Sequence, residues 1–159
     1  MAQPTSSFAA ALDDWVLETK ERTLAVFRGS AQEIIEVMQK PVAEGGNMPV
    51  DTGFLRASLQ VNLNGWVPTN RENPKPDAPK GSLDIFNPTV AELVIAGAKL
   101  GDTVYASYSA NYAGHLEYGT SKTQPRAFVR LAMAQAETIV KHQTVRAMLT
   151  AYSNRRRKG

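Results

Sequence analysis

The sequence predicts an α+β fold: long N-terminal and C-terminal helices packed on a small antiparallel or mixed sheet, with a long proline-rich loop. Three observations predict it. Apolar or small residues recur every three or four positions over 8–37 and again after Pro125. Two short segments between those stretches alternate apolar with polar residues, the signature of half-buried strands. Pro68, Pro74, Pro76, Pro79 and Gly81 crowd the stretch 66–83, where neither a helix nor a strand can persist.

Taken in order, the first element is a helix that Ser6 or Ser7 can cap and that Pro41 and Gly45-Gly46 end. Phe8, Leu12, Trp15, Thr19, Thr23, Val26, Ser30, Ile34 and Val37 draw one stripe along it. At ~1.5 Å per residue its length approaches 50 Å. The expected radius of gyration of a compact chain of this size is only ~15 Å. A rod of that length overhangs its own body or lies on a neighbouring subunit, the first indication of an oligomer. Asp51 or Thr52 can then cap a short helical turn before Leu59, Val61 and Leu63 alternate along a strand that Gly65 closes. After the proline-rich loop, Asn87-Pro88 opens a helix through Val90, Leu93, Val94, Ala98 and Leu100 that Gly101 stops. Thr103–Tyr108 reads as the second strand and Tyr112–Tyr118 as a short helix ended by Gly119. Pro125 opens the last helix, striped by Val129, Met133, Ala136, Val140, Thr144 and Met148, with helical character fading near Tyr152. Two strands alone are too few for stability, so helices or a neighbour's strands must cover them.

The chain has 159 residues, with apolar residues at 43% and charged residues at 21%. These values fit one globular domain over 1–152, followed by a basic tail at 153–159. There is no cysteine, which excludes disulfides, thiolate metal sites and cysteine nucleophiles. The net charge is +3; subtracting Arg155, Arg156, Arg157 and Lys158 leaves the rest at −1, so basic character is confined to the tail. Those four residues are candidate contacts to DNA or to a partner. The N-terminal residues carry no cationic leader, and no apolar run approaches the ~20 residues of a membrane span. The expected protein makes no membrane contact and stays where it is made.

Motifs with chemical content are few. Asp51-Thr52-Gly53 is the triplet of aspartic proteases, whose chemistry needs two carboxylates sharing a proton and a β-rich second half. Here Glu44-Gly45-Gly46-Asn47-Met48-Pro49 precedes it instead of an apolar strand, so the capping reading is preferred. His115 and Glu117 stand about 200° apart on a helix and would not share a ligand. Gly97, Gly101 and Gly119 match no phosphate-binding pattern. Tyr105, Tyr108, Tyr112 and Tyr118 with Arg126 and Arg130 have the residue types that bind single-stranded nucleic acid, but alternating Tyr on a strand more often packs a helix or a subunit contact. No catalytic, cofactor-binding or metal-binding residue is expected, and the chain is not expected to be an enzyme.

Two segments together resemble a family. Pro49-Val50-Asp51-Thr52-Gly53-Phe54-Leu55-Arg56-Ala57-Ser58 follows the long helix. Tyr112-Ala113-Gly114-His115-Leu116-Glu117-Tyr118-Gly119-Thr120-Ser121-Lys122 comes later and leads into Pro125-Arg126-Ala127-Phe128-Val129-Arg130. In this order they resemble the head–tail joining (neck or tail-completion) structural proteins of long-tailed, lambda-like bacteriophages. The resemblance implies a virion protein made in the host bacterial cytoplasm, without catalysis or cofactor. It would form a homo-oligomeric ring between head connector and tail tube, beside other neck, connector and tail-tube proteins, and would let genomic DNA pass with at most non-specific contact. A tail-terminator ring, or a DNA-binding module using the basic tail, are the alternatives. On the favoured reading Asp51, Thr52, Gly53, Leu55, Arg56, Tyr112, Glu117, Tyr118, Gly119, Arg126 and Arg130 are structural or interface positions. Arg56 is expected to pair with Glu117 and so to join the two motifs, while the loop 66–83 projects.

Overall fold

A computed structural model describes residues 7–66 and 69–158, and the side chains of Arg155, Arg157 and Lys158 are not among those described. Ser6, Pro68 and Gly159 lie outside the described residues. The architecture is α+β. Six α-helices among the described residues surround a two-stranded antiparallel sheet.

Helix α1 spans Phe8–Gln39, 32 residues, or about 48 Å at the usual rise. Ser7 caps it, its Oγ accepting the Ala10 N–H at 3.3 Å. Pro41 cannot continue the helix, and the chain turns through a 3₁₀ segment at Val42–Glu44. Backbone bonds between residues 40–42 and Met48 close that turn. Helix α2 (Phe54–Ala57) feeds strand β1 (Leu59–Leu63). β1 pairs with β2 (Val104–Tyr108) in a register running from Leu59↔Tyr108 to Leu63↔Val104. Between them α3 (Pro88–Ala96) starts where expected, with Asn87 Oδ1 accepting the Thr89 N–H at 3.0 Å. It ends at Gly97 and not at Gly101. The Arg28 guanidinium of α1 reaches over to donate to the Ala98 carbonyl, satisfying an acceptor the helix end leaves free.

Of the stretch 66–83, the described residues from 69 onward do not project freely. Arg71 exchanges backbone bonds with Ser109 and Asn111, Gly81 N–H donates to Asp51 O, and Leu83 N–H donates to Thr52 O at 2.7 Å. The segment is thereby laid along the body, with its prolines 74, 76 and 79 exposed.

The last helix is two helices, α5 (Phe128–Ala134) and α6 (Ala136–Lys158), after α4 (Ala113–Tyr118). Residues 125–127 are not helical; they run beside the end of α4, with Arg126 N–H on Leu116 O and Ala127 N–H on Glu117 O. At the break, Gln135 donates its side-chain amide to Leu131 O, and its main-chain N–H turns to Ala132 O in a 3₁₀ step. A side chain intruding into the ladder is a recognised cause of such a kink. Helix α6 does not fade near Tyr152 but runs through Lys158, where cationic residues suit the negative end of the helix dipole.

The buried faces differ from the expected stripes. α1 buries Ser30, Ile35, Met38 and Gln39, while Phe8, Leu12 and Trp15 are exposed. α5 and α6 bury Phe128, Ala132 and Ile139, one position before Val129, Met133 and Val140. The physical reason is the later helix start at Phe128 and the break at Gln135. α6 runs back along α1, with Gln143 Nε2 donating to Glu33 Oε2 at 2.6 Å. A Cβ at Gly29 would meet the Gln143 amide at 2.5 Å, so the glycine permits the approach. Beyond that contact the two helices leave an open groove of about 440 Å³ lined by Glu18, Arg22, Ala25, Arg146, Ala147 and Thr150. No helix among the described residues is long and apolar enough to cross a membrane.

Candidate functional site: the junction of the two motifs

The main core cluster is built from both motif segments. Met48, Phe54, Leu55, Ala110 and Phe128 are buried together, with Val50, Leu83, Tyr108, Tyr112, Ala113, Leu116 and Val129 packed against them. Phe54 and Tyr112 set their rings 6.4 Å apart, and Tyr108 meets Phe128 edge to face at 5.1 Å. Such aromatic pairs add about 0.5–1.5 kcal/mol beyond the apolar area they bury. Leu55 therefore packs as expected, and Tyr112 and Phe128 bring the second motif to it.

In the first motif Thr52 is buried and holds three partners. Its Oγ1 accepts the Phe54 N–H at 3.4 Å and an Asn73 amide at 3.1 Å, and its carbonyl accepts from Leu83. Asp51 is exposed and takes no helix-capping bond; the cap position of α2 is Gly53. Gly53 has φ +94°, and a Cβ there would stand 2.5 Å from the Asp84 nitrogen, so no other residue fits without displacement. Asp51 instead acts electrostatically. Burial first, and then its carboxylate, hold the Tyr112 phenol above its usual pKa.

Arg56 does not pair with Glu117. Its NH1 binds Asp84 Oδ2 at 2.8 Å, its Nε donates to Gln39 O at 3.0 Å, and its guanidinium lies 5.1 Å over the Phe86 ring. Gln39 Nε2 returns a bond to Arg56 O, so this arginine ties α1, α2 and the end of the loop together. The reason is placement: the loop returns past Gly53 and delivers Asp84 to α2, while Glu117 is occupied on α5.

Glu117 is 5% exposed. Its Oε2 accepts the Val129 N–H at 2.9 Å and its Oε1 accepts the Arg130 N–H at 3.0 Å. These are free donors of the first turn of α5, whose own cap residue, Ala127, has φ 51° and offers no side-chain acceptor. Arg130 closes the arrangement, with Nε on Glu117 Oε1 at 3.0 Å and NH2 on the Glu117 carbonyl at 2.7 Å, and stacks 4.9 Å over Tyr118. Gly119, at φ 79° and ψ 179°, turns the chain where a Cβ would meet Thr123 O at 2.8 Å. Tyr118 and Arg126 have exposed side chains. Tyr108, beside this cluster, has a buried hydroxyl without a partner among the described residues. Burial, then the Glu117 carboxylate, push its phenol far above the ordinary range, against the pull of Arg56.

The buried motif residues thus hold the fold together from its interior, with Asp51, Tyr118, Arg126 and Arg130 at its surface. Asp84, Asn73, Gln39 and Met48 belong to the same unit and carried no signal in the sequence, since each is brought in by chain reversal. The basic residues Arg155, Arg156, Arg157 and Lys158 lie apart on the last turns of α6, where the Arg156 guanidinium is 6.0 Å from the Tyr152 ring. Among the described residues no three His, Cys, Asp or Glu side chains gather at metal-binding distance. Compared with protein families, curated proteins and solved structures, the chain matches none. The packing of the two motifs therefore carries the functional argument by itself.

Proposed function

We propose that this chain is a structural subunit of a tailed-bacteriophage particle, a neck or tail-completion protein that forms a ring joining the tail tube to the head connector. The observation that carries the reading is the union of the two motifs. The two segments that together resemble the head–tail joining proteins meet in one core cluster, Phe54 and Leu55 against Tyr112, Leu116 and Phe128. On this reading the motif residues have structural jobs and the chain works without a catalytic group.

Assembly is favoured by what the scaffold leaves uncovered. Phe8, Leu12 and Trp15 on α1, Val90 and Leu93 on α3, and Val145, Met148, Leu149 and Tyr152 on α6 are all exposed. Grouped apolar exposure of this kind marks surfaces that a partner covers. The basic end of α6 would meet passing DNA or an acidic neighbour without reading sequence. The test is the mass of the purified protein by light scattering, alone and with tails lacking this protein. A ring-sized particle alone, or one formed only on tails, is expected. A chain that stays monomeric and ignores tails overturns the reading. A steep salt-dependent affinity for DNA in that case would favour a DNA-binding module built on α6.

A further inference from the structure

We propose that Asn64 is a site of spontaneous covalent modification, its side-chain amide converted to a carboxylate through attack by the Gly65 nitrogen, and that Asp102 sets the rate by holding that amide away. Whether copies of the chain form a ring does not bear on it.

Asn64-Gly65 is the only Asn-Gly pair in the chain, and every other asparagine precedes a larger residue or a proline. Glycine sets no side chain beside the attacking nitrogen, whereas a larger residue crowds it and proline has no N–H to give up. Gly65 is exposed, and a Cβ on it would meet nothing within 4 Å. Its N–H donates to no acceptor among the described residues. Asn64 is exposed too and follows β1 at φ 56°, in the left-handed region that asparagine tolerates. Its amide, however, is engaged at both atoms. Oδ1 accepts the Thr103 N–H at 2.9 Å, and Nδ2 donates to Asp102 Oδ1 at 2.7 Å. Asp102 is held in turn by the Lys99 N–H on its Oδ2 at 2.7 Å. The side chain is thereby latched across the end of the sheet.

In the reaction the Gly65 N–H gives its proton to hydroxide and the nitrogen bonds to Asn64 Cγ. The Cγ–Nδ2 bond breaks, and ammonia leaves after taking a proton from water. Water then opens the cyclic imide at Cγ, giving aspartate, or at the main-chain carbonyl, giving the iso-aspartyl form. Water enters, ammonia departs, and no oxidant or reductant is needed. The nitrogen that must leave is the one Asp102 holds. Donation to a carboxylate is a strong bond, and it keeps electron density on Nδ2, which makes Cγ a poorer electrophile. Release of Asp102 therefore precedes attack. The product cannot close the latch again. A carboxylate at 64 has no N–H to donate and stands a hydrogen-bond length from the Asp102 carboxylate, where like charges repel. The iso-aspartyl form adds a methylene to the main chain just beyond the bond from Asn64 N–H to Thr103 O. Either product loosens the sheet where Leu63 pairs with Val104. The change runs one way, so the converted fraction records how long and how often this turn has been open.

The test incubates the full-length protein in warm, mildly alkaline buffer and follows the peptide containing residue 64 by mass spectrometry. The readout is the mass change of an NH replaced by O, with the aspartyl and iso-aspartyl forms separated by chromatography. Asn64 is expected to convert before any other asparagine, and more slowly in the folded chain than in urea. Asp102→Ala is expected to convert at least about threefold faster than wild type, the effect of one charge-assisted bond discounted for exposure. Gly65→Ala should show no conversion at residue 64. Glu117→Gln lowers stability at α5, away from this turn, and should convert at nearly the wild-type rate. Equal rates in wild type and Asp102→Ala, or a Glu117→Gln rate as high as that of Asp102→Ala, overturn the role of Asp102. So does a folded chain that converts as fast as the unfolded one. Another asparagine converting first, or none at Asn64 even in urea, overturns the site. Asn64→Asp stands in for the product: amide hydrogen exchange at Thr103 should quicken several-fold while Leu55 and Phe128 keep their wild-type protection. Unchanged exchange at Thr103 overturns the loosening of the sheet end.

Discussion

Replacing Glu117 with alanine removes the acceptor that starts α5. Two main-chain N–H groups, of Val129 at 2.9 Å and Arg130 at 3.0 Å, then lose a charged partner. Hydrogen bonds to a charged group contribute roughly 1.5–3 kcal/mol each. The lower end applies because Val129 is only half-buried and Arg130 is exposed, so water can reach the freed donors. Together they amount to about 3 kcal/mol. The ion pair with Arg130 adds at most about 1 kcal/mol, since that side chain is 51% exposed and stays solvated without its partner. A total of about 3–4 kcal/mol corresponds to a melting temperature lowered by roughly 10 °C in a chain of this size. Glu117→Gln keeps the shape and one acceptor, and should lose about half as much. Urea unfolding followed by circular dichroism at fixed pH measures both. An alanine variant within about 0.5 kcal/mol of wild type would refute the capping argument. Arg130→Ala separates the parts: a loss as large as that of Glu117→Ala would assign the energy to the ion pair instead.

Three further outcomes are expected. Gly53→Ala should cost about 3 kcal/mol or more, because the φ of +94° strains any side chain and the new Cβ collides with the Asp84 backbone; a urea midpoint unchanged from wild type contradicts it. A double-mutant cycle on Arg56→Ala and Asp84→Ala should show coupling of about 1–2 kcal/mol, while the cycle on Arg56 and Glu117 should be additive within about 0.5 kcal/mol. Coupling of the second pair and not the first would reverse the assignment made from the 2.8 Å contact. The Asp102 carboxyl accepts from the Asn64 amide at 2.7 Å and then from the Lys99 N–H, which lowers its pKa. A depressed folded-state pKa means a contribution present above the unfolded-state value and lost as pH falls through the folded one. Carbon-detected NMR titration should place its midpoint below that of an ordinary aspartate, and an ordinary midpoint would show that the contact does not persist in solution.

By itself the sequence determined the elements whose signals are local. Ser7 before α1, Asn87-Pro88 before α3, Gly119 after α4 and the alternation of Leu59, Val61 and Leu63 each act within a few residues, and caps, breakers and periodicity operate over that range. The class of fold and the approximate ends of most elements follow from such signals. Only the tertiary structure decided who pairs with whom. Arg56 meets Asp84, 28 positions away, because the loop folds back past Gly53. Glu117 turns inward to cap a helix that starts three residues after Pro125, leaving Arg56 to another partner. The same late start and the break at Gln135 shift the buried face from Val129, Met133 and Val140 to Phe128, Ala132 and Ile139. A one-residue shift turns a helical face by about 100°, and the choice between neighbouring faces depends on what lies opposite.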